Sequence, residues 1–519
     1  MTRSIWRQLA VCALAFFVTI GPVLAQNVLK RRNIDDLSPQ ELSAYEHAIQ
    51  ILKDRSAKNQ YDKSGLLWQA WIHNCPSTWV PKDGKEDNRP PGCSFWTKVP
   101  PPDQTNYVLA RPGMCEHGKD LFLPWHRAEF YFFEKIIQGA DPDGMITDSR
   151  GQTGPSTRNV TVPYWNWTRA PSGARYPVAF ENPNSPLFHK NRSSDRIAPG
   201  NSYPFSSLYL ISYMVQFQDW PTFAGFPMAK NGGYGTFEAA SHNFMHAIYM
   251  GGDMANPRTA ALDPGFFSFH AYIDLLYEQW LQVHGKDSVT SQDFFLRGDQ
   301  PEGIVKPPGF TSGAGRPSMG QVKTYFDTKA LGYEYEVTAK DELLSRAALV
   351  KILGLEDQQD APTFGTATRN LFSRLLDGAA FDANTEPAIV QTIDFTIPSA
   401  AMMGNNQQFF AKFDRNPNEP DLSYQIDVYL YPKLAPFDPA SQPFRRKYRA
   451  APGEAHWGTG EVHHHDTPTP MQVDITTPVL DLVKGGRNGE VWNLTVAISV
   501  LPSLTTFGQP SVKADPPLR

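Results

Sequence analysis

EAASHNFMHAIYMGGDMANPRTAALDPGFFSFHAY, residues Glu238 to Tyr272, holds three histidines whose spacing decides how the chain is read. His242 and His246 stand four apart, which puts both on one helix face. His270 follows a Gly-rich turn and a new helix start at Asp263-Pro264, with Asp as N-cap and Pro at the first position. Two imidazoles so placed can converge on one metal ion, and a third from the neighbouring helix can close the site. An HxxxH pair alone is more often two ordinary core or surface histidines, so its weight depends on what stands upstream.

Upstream there is a second set. The helical stretch GLLWQAWIH ends in His73, and MCEHGKDLFLPWHRAEFYFFEKII carries His117 in a loop and His126 on a helix with Pro124 in its first turn. Six of the 13 histidines therefore form two triplets, His73, His117 and His126, then His242, His246 and His270. His47, on the preceding helix, is the alternative to His73, although its place off the apolar stripe of Leu42, Tyr45, Ile49 and Leu52 reads as solvated. No carboxylate or thiolate stands at equivalent spacing beside the triplets. Hard cations want oxygen ligands and structural zinc usually recruits cysteine, so two all-imidazole sites fit copper. Two one-electron metals side by side can carry electrons to O2, which a redox-inert ion cannot.

The segments CEHGKDLFLPWHRAEF (Cys115 to Phe130) and HNFMH followed by MGGDMANPRTAALDPGFFSFHAYID resemble those of type-3 copper proteins, the tyrosinases, catechol oxidases and haemocyanins. The resemblance implies that His73, His117 and His126 bind one copper and His242, His246 and His270 the other. It further implies a thioether from Cys115 to the His117 ring, a water held by Glu238 and Asn243 that removes a phenol proton, and an uncharged entrance at Ala247. Pro257 falls where such proteins hang a gate residue over the second copper. A histidine that many relatives carry before the last ligand is Phe269 here, which bears on how that ligand is tuned. Tyr333-Glu334-Tyr335 matches the signature that closes the family's copper domain, with Arg31 or Arg32 as cation–π partner.

The remaining sequence sets bounds. At 519 residues two domains are expected, and 41% hydrophobic with 12% aromatic residues suffices for a packed core. A formal net charge of -5 argues against a nucleic-acid partner. Residues 1–25 read as a cleaved signal peptide, too short and broken at Gly21-Pro22 for a stable membrane span, so a secreted or periplasmic protein is expected. Cys12 leaves with that signal; Cys75–Cys93 is the expected disulfide, and Cys115 is left over.

Residues 26–335 are expected to form a mainly α copper-binding helical bundle, opened by a helix with a Ser38/Glu41 capping box. Residues 172–235 read as irregular, 336–390 as a helical linker with two helical stretches, and 391–519 as an all-β sandwich or barrel. That tail loosely resembles the C-terminal domain of plant polyphenol oxidases, which covers the copper site, and its His463-His464-His465 run is poorly placed to wrap one ion on a strand.

The expected activity is that of a dicopper phenol oxidase of the tyrosinase kind. It would hydroxylate monophenols to o-diphenols and oxidise these to o-quinones, with phenols and O2 as its small-molecule partners. A catechol oxidase without useful monophenolase activity, or a haemocyanin-like oxygen carrier, would share the site. A zinc hydrolase would want a Glu inside HNFMH, which has none.

Overall fold

The computed structural model describes residues 28–74, 115–169, 176–192, 208–227, 233–313, 317–353, 389–399, 409–414, 424–439, 444, 447–450, 454–456, 471–500 and 511–515. Residues 1–25, expected to be a signal peptide, Cys75, Cys93 and His463 to His465 lie outside the described residues.

The chain enters as a short strand, β1 (Leu29–Arg31), and turns into α1 (Pro39–Lys58). The capping box forms as its sequence predicts: Ser38 Oγ accepts from the Glu41 N–H at 3.2 Å, and the Glu41 carboxylate accepts from the Ser38 N–H at 2.8 Å. Next come α2 (Leu66–His73), α3 (Phe122–Gln138), α4 (Leu208–Phe217) and α5 (Trp220–Ala224). Two π-helical segments (Phe237–His242 and Met245–Met250) lead to α6 (Gly265–His284). Asp263 caps that last helix by accepting from the Gly265 N–H at 2.7 Å.

The helices bury an aromatic core. Trp125, Trp167, Trp220 and Trp280 are inaccessible, and Phe133 of α3 stacks on Phe267 of α6 with centroids 3.7 Å apart. The Val162–Trp167 cluster packs beside the site, with Trp167 on Phe269 at 4.6 Å. Two hairpin strands, β2 (Phe295–Arg297) and β3 (Ser318–Gln321), follow. Then β4 (Tyr333–Tyr335) pairs in parallel with β1, returning the chain to its start.

Three expectations need correction. Residues 172–235 are not wholly irregular, because Leu210, Ile211, Met214 and Val215 drive α4 into the core despite the flanking Gly and Pro. His47 is not solvated: it is 2% exposed and pairs through Nε2 with Asp141 at 3.0 Å, so it takes no part in the metal site. Among the described residues the C-terminal region is neither a closed barrel nor all-β. It has two small open sheets, one of β5 (Ile389–Thr396), β7 (Tyr424–Pro432), β8 (Glu454–His456) and β10 (Val491–Val500), in the order β5-β10-β7-β8. The other joins β6 (Phe410–Asp414), β9 (Met471–Asp474) and β11 (Ser511–Asp515) in the order β11-β6-β9.

One of the two helices expected in 336–390 is present as α7 (Arg346–Leu353), tied to α4 by the Leu344 N–H on Ser212 Oγ at 2.9 Å. The other lies outside the described residues. A helix, α8 (Thr476–Lys484), packs Val479 into the apolar cluster shared by both C-terminal sheets. Tyr234 and Ala239, just ahead of His242, belong to that same cluster.

The closing signature acts as a lock. The Arg31 guanidinium lies 3.5 Å from the Tyr333 ring centroid and 5.6 Å from that of Tyr335. It also donates to Glu134 at 2.8 Å and Asp274 at 3.1 Å, all three side chains being buried. Asp274 further accepts from the Tyr333 and Tyr335 hydroxyls at 2.9 and 2.7 Å and from Arg127. Because removing one member strands buried carboxylates, Arg31→Met should destabilise the domain by about 3–5 kcal/mol. A denaturant midpoint equal to that of the wild type would show that the lock is dispensable.

Candidate metal centre

The six imidazoles meet in one place. Ligand-capable atoms of His73, Cys115, His117 and His126 lie within 4.8 Å of one another, as do those of His242, His246 and His270. The two groups share a cavity wall: His126 stacks on His270 at 4.3 Å and His117 lies 5.2 Å from His242, centroid to centroid. His73 comes from the end of α2, His117 from the loop before α3, His126 from α3 itself, and His270 from α6.

His242 and His246 sit on the π-helical segments rather than on a plain α-helix. Their i→i+5 hydrogen bonds widen each turn, and residues four apart still nearly overlie, so the rings are 4.6 Å apart.

Burial and hydrogen bonding set the state of these rings. Desolvation pushes His73, His126, His242, His246 and His270 well below the usual imidazole range, so they are neutral. A neutral imidazole carries one N–H, and in five of the six Nδ1 has an acceptor. Nδ1 of His73 lies 3.0 Å from Pro257 O, that of His126 2.7 Å from Phe122 O, and that of His246 2.7 Å from Met254 O. His117 uses a Glu238 oxygen at 2.8 Å, and His242 uses Asn243 Oδ1 at 2.9 Å. Only His270 Nδ1 lacks an acceptor among the described residues.

The Nε2 lone pairs are thereby turned inward. Those of His242 and His246 each lie 3.3 Å from Nε2 of His270. Two lone pairs converge there on one His270 nitrogen, which has at most one proton to offer them, whereas a cation among the three rings would satisfy all of them. The arrangement therefore fits a metal ion bound by three imidazoles, once on each side.

The other expected site residues are placed as follows. Glu238 is fully buried and accepts from the Gly118 N–H as well as from His117, so both its oxygens are engaged; burial raises its pKa. Ala247 and Pro257 are buried, and Pro257 contributes its carbonyl to His73. Phe269 packs on the His246 ring at 4.8 Å. Cys115 Sγ lies 3.3 Å from His126 Nε2, and burial, then the nearby Glu129, raises its pKa well above the usual thiol range. What sequence reasoning missed is the set of backbone acceptors at Phe122, Met254 and Pro257. Any residue but its neighbours' geometry supplies a carbonyl, so no side-chain pattern announces them.

The comparisons agree with this geometry. The family described as the common central domain of tyrosinase matches residues 64–210 and 177–283. A tyrosinase of Hahella sp. (strain CCB-MM4) is 29% identical over 328 residues, covering 59% of this chain and 62% of that protein. Polyphenol oxidase B of Solanum lycopersicum is 25% identical over 263 residues, covering 44% and 40%. The chain thus spans less than two thirds of the length of these relatives. Among solved structures, latent aurone synthase (polyphenol oxidase) aligns with a TM-score of 0.55 at 15% identity, covering 95% of this chain and 91% of that one. Latent apple tyrosinase aligns with a TM-score of 0.55 at 18% identity, covering 94% and 97%, and these two likenesses speak for the fold alone.

Two neighbouring three-histidine sites in a helical core define a type-3 dicopper protein. Over residues 64–283 the chain matches the common central domain of tyrosinase, and it is similar to tyrosinases and polyphenol oxidases.

Five depressed imidazoles also make the copper-free protein acid-sensitive. Unfolding lets each return to a pKa of about 6.5 and bind a proton that the folded state refuses, so stability is present above that pH and lost as pH falls through it. Each such imidazole contributes a slope of about 1.4 kcal/mol per pH unit below the unfolded value. Denaturant midpoints of the copper-free protein should therefore fall steeply from pH 7 to pH 5; a flat profile would show that the rings protonate in place.

Proposed function

We propose that this protein is a dicopper phenol oxidase, hydroxylating monophenols to o-diphenols and oxidising these to o-quinones with O2. The observation that carries the proposal is the convergence of six imidazoles from two adjoining triplets, five of them fully buried and neutral. When bound, the copper pair supplies the two-electron exchange with O2. The protein's own groups hold the imidazoles as neutral donors, fix their rotation through Nδ1, and keep the ions in a dry core lined by Phe122, Phe266 and Phe269.

Glu238 holds His117 and Asn243 holds His242. In the proposed reaction they also order a water that takes the phenolic proton, so the carboxylate acts as base through that water. Ala247 leaves the entrance uncharged, with Pro257 as a small, stiff gate. Cys115 is proposed to restrain the loop-borne His117 through a thioether to its ring, formed as the thiol S–H and a ring C–H are broken and O2 takes up the two electrons and two protons. At equal copper content, Glu238→Gln should lower monophenol turnover about 10²-fold or more while catechol turnover falls less. Equal losses on both substrates would assign Glu238 to ligand orientation alone.

The C-terminal region is proposed to restrict access to the site. Its apolar cluster takes in Tyr234 and Ala239 of the segment that carries His242. The deciding measurement is turnover of tyrosine and of a catechol by the copper-loaded chain, before and after limited proteolysis of the tail. Rising activity on both is expected. Catechol turnover without any tyrosine turnover would identify a catechol oxidase, and reversible O2 binding with neither would identify a carrier.

A further inference from the structure

One loop serves both metal sites. The segment from Gly251 to Pro257 supplies Met254 O to His246 Nδ1 at 2.7 Å and Pro257 O to His73 Nδ1 at 3.0 Å, so a ligand of each ion takes its orientation from it. The two carbonyls stand three residues apart on this one loop.

The loop is held from outside the site by residues that the copper motifs do not include. Both carboxylate oxygens of Asp253 are taken by the 189–191 segment, through His189 Nε2 at 2.6 Å and Asn191 Nδ2 at 2.8 Å. The Asp253 N–H donates to Asn191 O at 3.0 Å, and Thr259 Oγ1 donates to Asp253 O at 2.9 Å. At Gly252 the approach is so close that a Cβ would lie 2.1 Å from Asn191 O, with φ at +56°. Only glycine fits there.

We propose that His189, with Asn191, is a positioning residue for both metal sites. Acting through Asp253, it fixes the loop whose two carbonyls set the ring orientation of His246 and His73. The His189–Asp253 pair is partly exposed, with side chains 20% and 19% accessible, so it adds little to folding. Its effect is concentrated on ring orientation, where an acceptor displaced by a fraction of an ångström turns a ligand's lone pair off the metal.

The inference rests on the dicopper reading, and one experiment separates the two. Copper-loaded wild type, His189→Ala, His189→Gln and Asn191→Ala are titrated with a competing chelator, with metal content and thermal midpoint followed together. His189→Ala should release both ions at a chelator concentration about 10-fold lower or more, with the copper-free midpoint unchanged. His189→Gln, which keeps a side-chain donor, should recover part of the loss. Should His189→Ala not fold, Asn191→Ala alone carries the test with the same expected joint release. Retention of both ions as in wild type, or loss of only the ion held by His242, His246 and His270, would overturn the shared clamp. Wild type that takes up no copper would overturn the dicopper reading itself and the clamp with it.

Discussion

A neutral imidazole has two nitrogens and one proton, and a buried metal site works only if the proton is on the far side. That constraint organises this protein. Five of its six site histidines meet it with an Nδ1 acceptor: three backbone carbonyls, one carboxylate and one amide oxygen. Each acceptor must reach a ring in a core from which water is excluded, so the helices and loops that carry them have to be held rigidly. The stacked aromatic contacts and the buried charge network serve that end.

Asp274 shows how ligand placement and fold stability share residues. It stands one helical turn beyond His270 and binds Arg127, the residue after His126, so it couples the two ligand helices directly. The same carboxylate takes Arg31 and the two tyrosines of β4, which ties both ends of the domain to those helices. The Arg127 guanidinium also lies 4.4 Å from the Tyr277 ring centroid. Buried charges of this kind add little net stability against an apolar replacement. They do fix one register of α3 on α6, and a dinuclear site tolerates only one.

Glu238, to which the family resemblance gives a share in holding a proton-accepting water, also has a structural part. Its oxygens accept from His117 Nδ1 and the Gly118 N–H. A carboxylate that deep in the core would be costly without such donors. It therefore links the loop-borne ligand of one site to the segment bearing the other, and any part it takes in proton transfer is exerted from that position.

The sequence alone showed the shared helix face of His242 and His246 and how several helices begin, because both are local. Spacing within HNFMH, the Asp263-Pro264 start, the Ser38/Glu41 box and the Tyr333-Glu334-Tyr335 strand all express short-range rules. Tertiary structure decided what depends on distant partners: His73 in the site and His47 on Asp141, His189 on Asp253, and α4 where Gly and Pro suggested loop. It also decided that the C-terminal strands form two open sheets with a helix, since alternation specifies a buried face but not how strands pair. The carbonyl acceptors were the least legible feature of all. Every residue carries that group, and only folding determines which one faces an imidazole.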